Sequence, residues 1–231
     1  MPRIRLYLKK KFSKDEKIEL SSHDFHYLKN VMRKKEHDQI LIFNDSEEWF
    51  AKILSENYLQ PLKFSRKKIN KENIWIYFSL IKKRNIDYLI EKVSEIGVEK
   101  IIPVETDFSE RISIKIDRLK KIIIEAVEQS NSLIIPEISN PVNLKSILSN
   151  WDRDRIIILC DEKYKINDNI KLSKGKKIAI FIGPVGGWSD KERILFDRID
   201  HIKLNLGENI LKADTAAILA LSKVKGSFYD Y

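Results

Sequence analysis

The segments Ile182-Gly-Pro-Val-Gly-Gly-Trp-Ser189 and Leu206-Gly-Glu-Asn-Ile-Leu211 are the most informative parts of the chain about its fold. These two segments hold four of the protein's seven glycines. Glycine permits sharp turns and lets the backbone approach a ligand closely. Each segment follows an apolar, strand-like run and precedes a helix-like one. Two glycine loops at the carboxyl ends of strands are typical of the ligand crevice of an open α/β sheet.

Strand-like and helix-like patterns alternate from residue 74 onward. Strands are predicted at residues 74–80, 100–104, 155–160, 178–182 and 202–206. Helices are predicted at residues 86–96, 119–127, 143–148 and 213–223, and the capping box Ser189-Asp-Lys-Glu192 starts another. The strand at 100–104 is expected to end near Pro103. This alternation predicts an α/β fold with a mostly parallel sheet and helices on both faces.

The first 70 residues show a different pattern. Apolar and polar residues alternate from Arg3 to Leu8, which predicts a half-buried strand with Arg3 and Arg5 on its polar side. Further strands are predicted at 39–43, 48–54 and 59–64, and Ser22 is interpreted as the N-cap of a short helix. We therefore predict a small, mostly β domain over residues 1–70, a polar linker at 67–73, and an α/β domain over residues 73–231.

The charge balance favours a polyanionic partner. The chain has 43 Lys and Arg residues against 34 Asp and Glu residues, a net charge of +9. The first 70 residues hold 16 basic and 10 acidic residues and so contribute +6 of this excess. RNA, DNA or an anionic surface would suit such a chain. A lysine-rich composition inherited from an AT-rich genome would give the same excess, so both explanations stay open here.

Composition also argues against several classes of protein. The single cysteine, Cys160, cannot form an internal disulfide, which fits a reducing cytoplasm. No apolar run approaches the length of a transmembrane helix, and the N-terminus has no signal-peptide core. His23, His26 and His37 lack metal-ligand spacing, so we expect no metal. The glycine loops match neither a P-loop nor a dinucleotide-binding fingerprint.

Five segments, in order along nearly the whole chain, resemble one known family. They are His26-Tyr-Leu-Lys-Asn-Val-Met-Arg33, Ile90-Glu-Lys-Val-Ser-Glu-Ile-Gly-Val98, Glu125-Ala-Val-Glu-Gln-Ser130, Gly183-Pro-Val-Gly-Gly-Trp-Ser-Asp-Lys-Glu192 and Leu206-Gly-Glu-Asn-Ile-Leu-Lys-Ala-Asp-Thr-Ala216. In these segments the chain resembles the RsmE family of 16S rRNA uridine-N3 methyltransferases, within the SPOUT superfamily.

The resemblance implies both a fold and a reaction. It implies a PUA-like RNA-binding β-barrel followed by a SPOUT domain with a C-terminal trefoil knot, and a homodimer formed through the knotted domain. The implied cofactor is S-adenosylmethionine, and the implied partner is the 16S rRNA of the small ribosomal subunit. The expected reaction is methylation of N3 of a specific uridine.

The same resemblance indicates the site residues. S-adenosylmethionine is expected to bind Leu159, Cys160, Asp161, Ile182, Gly183, Pro184, Gly186, Gly187, Leu206, Gly207, Ile210 and Leu211. The uracil or its N3 proton is expected to be handled by polar groups just beyond the cofactor loop, namely Asn209, Lys212, Asp214 and Thr215. An ordinary helix N-terminus would also explain Asp214 and Thr215.

Basic residues supply the candidates for RNA contact. They are Arg3, Arg5, Arg33 and Lys34 in the first domain, and Lys82, Arg84 and Arg111 in the second. The chain departs from the family's pattern at Phe108, Val185, Asn209, Lys212 and Asp214, where the family has Arg, Glu, Arg, Arg and Glu. Two alternatives therefore stay open: a divergent SPOUT protein with another RNA methylation target, and a non-catalytic RNA-binding or ribosome-assembly protein.

Overall fold

The computed structural model describes residues 4–55, 57–69, 72–164, 172–173 and 175–228. The chain divides into two compact units. The first comprises Met1–Ile69 and Val127–Ile134, and the second comprises Asn70–Ala126 and Ile135–Tyr231. The segment Val127–Ile134 thus belongs with the N-terminal unit, although its sequence lies inside the predicted α/β domain.

The first unit is built on a five-stranded sheet. Its strands are β1 (Arg5–Tyr7), β2 (Ile18–Glu19), β3 (Gln39–Phe43), β4 (Glu47–Ile53) and β5 (Tyr58–Lys67), in the order β1-β3-β4-β5-β2. Only the β1–β3 pair is parallel among these. Apolar side chains from the strands, from the segments that flank β1 and β2, and from Leu28 form its buried core.

A short helical segment follows β2. Helix α1 (Ser22–His26) continues into a π-helical turn, Tyr27–Val31. The N-cap is Ser21 and not Ser22, because the Ser21 side chain accepts a hydrogen bond from the Asp24 backbone N–H. The switch to a wider turn after α1 leaves Leu28 buried while the side chain of Val31 is exposed.

Arg5 is a structural residue of the first unit. Its Nε donates to Glu48 Oε2 over 2.9 Å, and its other nitrogens donate to the carbonyls of Val127 (2.6 Å) and Ser132 (2.7 Å). Arg66 holds the second oxygen of Glu48. Because the Arg5 side chain is buried and already paired, the prediction that it contacts RNA is wrong.

In the part of the second unit that the structure describes, the sheet has seven strands and every pair is parallel. Its strands are β6 (Asn73–Ser79), β7 (Lys100–Glu105), β8 (Glu137–Ile138), β9 (Val142–Asn143), β10 (Arg155–Cys160), β11 (Lys177–Ile182) and β12 (His201–Leu204). Their order is β12-β10-β11-β6-β7-β8, and β9 also pairs with β7. Strand β7 continues through Pro103, which pairs with Phe78, instead of ending there.

Within the described residues, five helices accompany this sheet: α2 (Lys83–Ile96), α3 (Ile116–Gln129), α4 (Leu144–Ser149), α5 (Asp190–Phe196) and α6 (Ala213–Gly226). Helix α2 stops at Gly97, whose φ of +94° suits glycine. Odd-numbered residues of β10 and β11 pack with side chains of α4 and α5. On the other face, α6 contacts β11, β6 and α2. These contacts confirm the predicted α/β fold with a mostly parallel sheet and helices on both faces. The trefoil knot stays a prediction.

Candidate functional site

The loops that follow β10, β11 and β12 enclose a cavity of about 260 Å³ at the carboxyl edge of the parallel sheet. This is the edge at which open α/β sheets bind ligands. Ten of the twelve predicted cofactor residues line the cavity: Cys160, Asp161, Ile182, Gly183, Pro184, Gly186, Leu206, Gly207, Ile210 and Leu211. The structure therefore brings the three predicted segments together.

Two predicted cofactor residues lie outside the cavity lining. The side chain of Leu159 is fully buried in the apolar core, because alternation along β10 turns it away from its neighbour Cys160. Gly187, the last glycine of the loop, has a φ of +70° and is not part of the cavity lining. A Cβ atom at Gly187 would collide with the carboxylate of Glu162, which lines the cavity.

The glycine loop after β11 rests on the indole of Trp188. A Cβ atom placed on Gly183 would lie only 3.1 Å from Cε2 and Nε1 of that ring. The buried indole Nε1 donates to the Cys160 carbonyl over 2.9 Å and so ties the ends of β10 and β11 together. A side chain at position 183 would therefore crowd the buried indole, and the loop backbone forms part of the cavity wall.

The capping box predicted for α5 is present and anchors the same loop. Ser189 Oγ accepts from the Glu192 N–H over 3.2 Å, and Glu192 Oε2 accepts from the Ser189 N–H over 2.8 Å. Glu192 Oε1 also accepts from the Asp107 N–H over 2.9 Å. A single buried carboxylate therefore fixes both the glycine loop and the turn after β7.

Two carboxylates and one thiol border the cavity. Asp161 is buried and held by two hydrogen bonds from Arg193, which raise the pKa of that guanidinium. Glu162 keeps a side chain that is 43% exposed, so it is the carboxylate more accessible to a bound cation. Burial raises the pKa of Cys160 to about 12, which leaves a neutral, unreactive thiol in the wall.

The predicted catalytic residues lie in and after the third loop. Asn209 lines the cavity and is exposed. Lys212 occupies the exposed N-cap position of α6 without a side-chain cap. Asp214 is 9% exposed, and its Oδ1 accepts from the Thr215 N–H over 2.8 Å. Only Asn209 reaches the cavity itself, and the roles of all four residues stay predictions.

The predicted RNA-contact residues fall on both units. Arg33 is exposed, and Lys34 is partly exposed at 4.0 Å from Asp38. In the second unit the three candidates Lys82, Arg84 and Arg111 are exposed. Arg3 lies outside the described residues.

Among the residues that the structure describes, no group of His, Cys, Asp or Glu could hold a metal ion. Within the same ranges, no helix has both the length and the apolar character needed to cross a membrane.

The chain matches known proteins over both units. Residues 68–225 match a family model for an RNA methyltransferase domain, and residues 20–60 match one for an RNA methyltransferase PUA domain. Ribosomal RNA small subunit methyltransferase E of Rickettsia conorii is 33% identical over 96% of this chain and 94% of its own length. The chain belongs to this methyltransferase E family.

Further relatives agree with this assignment. Ribosomal RNA small subunit methyltransferase E 2 of Borreliella burgdorferi is 31% identical over 94% of this chain and 92% of its own length. The crystal structure of methyltransferase E from Neisseria gonorrhoeae, bound to S-adenosyl methionine, superimposes with a TM-score of 0.86 at 21% identity. It covers 98% of both chains. The predicted PUA-like unit before the α/β unit is thereby confirmed.

Five residues that line the cavity are missing from the predicted set of site residues. They are Glu162, Val185, Leu204, Ala213 and Ala216. Glu162 directly follows Asp161, and Val185 lies between Pro184 and Gly186, so both belong to the predicted cofactor segments; Leu204 is two positions before Leu206, so strand alternation places both on one side. Ala213 and Ala216 lie three residues apart on α6 and so share a helix face, but alanines at such spacing are too common to indicate a site.

Proposed function

We propose that this protein transfers the methyl group of S-adenosylmethionine to N3 of a specific uridine in the 16S rRNA of the small ribosomal subunit. The cavity at the carboxyl edge of the second unit's sheet carries this proposal. It gathers ten residues that the family resemblance assigned to the cofactor, drawn from three separate loops.

The cavity wall suits the chemistry of this cofactor. Apolar side chains such as Leu206 and Leu211 can cover an adenine ring, while bare backbone at Gly183 and Gly186 offers groups that read its polar edge. Glu162 is placed to attract the positive charge of the cofactor. When bound, S-adenosylmethionine supplies a methyl group already activated on a sulfonium.

The protein's own task is then to orient the uracil and to accept its N3 proton. Removal of that proton makes N3 a better nucleophile. Asn209 lines the cavity and can hydrogen-bond a uracil carbonyl. Asp214 and Thr215 begin α6 beside Ala213 and Ala216, which line the same cavity, so they are our candidates for proton handling.

Further parts of the proposal concern assembly and location. The first unit would contact the rRNA through exposed basic residues such as Arg33, and the second unit through exposed Lys82, Arg84 and Arg111. We propose a homodimer formed through a knotted second unit, as the family resemblance implies. We also propose a cytoplasmic location, in keeping with the lone, buried Cys160.

The direct test is methyl transfer to unmethylated small ribosomal subunits. The protein and isotopically labelled S-adenosylmethionine would be incubated with the subunits, and the digested rRNA analysed by nucleoside mass spectrometry. New 3-methyluridine is the expected product. A different methylated nucleoside would move the assignment to another RNA target, and no product together with no cofactor binding would favour a non-catalytic RNA-binding protein.

Two variants on α6 test whether methyl transfer depends on the cavity. Ala216→Phe places a ring in the cavity wall and is expected to abolish cofactor binding. Ser222→Phe adds the same side chain at an exposed position of α6 and is expected to leave activity unchanged. Circular dichroism of both variants checks that they fold. Equal activity in the two proteins would refute this location of the cofactor.

A further inference from the structure

Phe108 presents its ring to solvent at the edge of the glycine loop. The residue is 56% exposed. A Cβ atom placed on Gly186 would lie 3.4 Å from Phe108 Cβ and 3.5 Å from its ring carbon Cγ. The ring therefore lies on the bare backbone of Gly186, which itself lines the cavity. The neighbouring Val185 is 80% exposed, so an apolar surface continues from the ring to the cavity mouth.

The turn that carries this ring is held firmly. The Thr106 N–H donates to Ser109 Oγ over 3.1 Å, and that hydroxyl donates to the Thr106 carbonyl over 2.9 Å. The Asp107 N–H donates to Glu192 Oε1 over 2.9 Å, and its carboxylate accepts a hydrogen bond from Ser189. Because the backbone of this turn is already held, little backbone entropy is lost when a partner packs on the Phe108 ring.

Positive charge lies beside the same turn. The Glu110 N–H donates to the Leu80 carbonyl over 2.8 Å, which brings Arg111 next to the segment that leads into Lys82. Both basic residues are exposed, and the whole chain carries a net charge of +9. The site therefore combines an exposed aromatic ring with the cations of Lys82 and Arg111, and the exposed carboxylates of Asp107 and Glu110 lie on the same turn. A single-stranded nucleic acid offers the matching pair of features, because its phosphates are anionic and its unpaired bases are flat.

We infer that Phe108, with Val185 beside it, forms a stacking surface for an unpaired base of the substrate RNA. This inference rests on the proposed function in so far as RNA is the substrate. Aromatic side chains hold splayed-out bases in this way in many RNA-binding proteins. The ring lies next to the loop that lines the proposed cofactor cavity, so a base stacked there would position the strand close to the methyl donor.

The test compares binding of two RNA probes, with no need for turnover. A fluorescein-labelled single-stranded RNA of mixed sequence and its duplex would be titrated with the wild-type protein and with Phe108→Ala, Phe108→Leu and Phe108→Trp. We expect Phe108→Ala to weaken single-strand binding on the order of tenfold, the loss typical of one base–aromatic stack. Duplex binding is expected to stay unchanged, because the bases of a duplex are already stacked.

The other variants separate stacking from packing. Phe108→Trp is expected to restore single-strand affinity, and Phe108→Leu to behave like Phe108→Ala, because leucine keeps apolar volume but lacks a π face. Tyr88→Ala removes another exposed ring, on α2, and should change nothing. The affinity for S-adenosylmethionine is expected to be the same in every variant.

Several results would overturn the inference. They are wild-type affinity in Phe108→Ala, an equal loss on single strand and duplex, wild-type affinity in Phe108→Leu, or a change of oligomeric state in sedimentation, which would make the ring a subunit contact. The proposed function is judged separately by formation of 3-methyluridine in the wild-type protein. If that product is absent but the single-strand loss is seen, the stacking surface stands and the reaction assignment fails.

Discussion

The guanidinium of Arg193 donates two hydrogen bonds to the carboxylate of Asp161, from Nε to Oδ2 over 2.6 Å and from Nη2 to Oδ1 over 3.1 Å. Arg193 lies on α5, and Asp161 directly follows β10 and lines the cavity. The side chain of Asp161 is fully buried, whereas the side chain of Arg193 is 17% exposed. The pair therefore fixes the first loop of the cavity to the helix that the second loop leads into.

We predict that Arg193→Ala destabilises the protein by about 3 kcal/mol, because it leaves a buried carboxylate without its charge partner. The affinity for S-adenosylmethionine should fall as well, since the Asp161 loop loses its anchor. Arg193→Lys should recover only part of the stability and part of the cofactor affinity, because an ammonium group cannot make the bidentate contact. Urea denaturation and calorimetric titration measure the two effects. Arg198→Ala, at an exposed position nearby, is the control, and a matching loss there would contradict the argument.

Gly187→Ala is predicted to damage the cavity through the backbone. Its φ of +70° costs a non-glycine residue about 1–2 kcal/mol, and the new methyl group would force the Glu162 carboxylate away from its present place. We expect weaker binding of S-adenosylmethionine, by about tenfold, together with that loss of stability. Gly226→Ala is the matched control, because nothing lies within 4 Å of the added atom. Indistinguishable cofactor affinity in the two variants would refute the prediction.

The sequence predicted the sheet well because its strands are strongly apolar and bounded by clear turns. The bounds of β3 and β10 agree with the predicted ranges, and the capping box at Ser189 begins α5 as expected. Local patterns of this kind depend on neighbours in the chain. They carry no information about which distant segments of the chain pack on a given surface in the folded protein.

Arg5 shows where such reasoning stops. Alternation correctly set it on the side of β1 opposite to Leu6, which is buried in the core. That side is covered by carbonyls of Val127 and Ser132, more than 120 residues away along the chain. The absence of Leu159 from the cavity lining has a related cause. The last residues of a strand still alternate between the core and the ligand edge, and Leu159 falls on the core side.

The buried pair of Arg5 and Glu48 predicts a pH-dependent stability for the first unit. Burial alone would raise the pKa of Glu48, but hydrogen bonds and charge from Arg66 and Arg5 outweigh it and lower that pKa overall. A carboxylate with a lowered pKa stabilises the fold above its unfolded value of about 4.3. That contribution is then lost as the pH falls through the lower, folded-state pKa.

We therefore expect Glu48→Gln to be less stable than wild type at pH 7 by about 3 kcal/mol, with a smaller difference near pH 3. Urea denaturation followed by circular dichroism at several pH values measures this. Glu16→Gln, at an exposed position of the same unit, should leave the pH profile as it is in wild type. A constant gap between Glu48→Gln and wild type across the pH range would contradict the assignment.

Cys160 is predicted to resist alkylation although it lines the cavity. With its pKa raised to about 12 by burial, the thiolate fraction at pH 8 is on the order of one in ten thousand. Iodoacetamide labelling followed by mass spectrometry should be slow in the folded protein and fast in urea, where the pKa returns to about 8.5. Rapid labelling of the folded protein, unaffected by S-adenosylmethionine, would show that the thiol is accessible and ionised.

Asp214 and Thr215 are predicted to act on the reaction and not on cofactor binding. We expect Asp214→Asn and Thr215→Val each to lower kcat on the order of 100-fold, the scale of a lost proton-transfer group, with unchanged affinity for S-adenosylmethionine. Thr215 is exposed beside the cavity, so its substitution should leave the melting temperature nearly unchanged. Ser222→Ala, at an exposed position of α6, is the control. If both variants kept full kcat and RNA affinity, the two residues would be no more than the first turn of a helix.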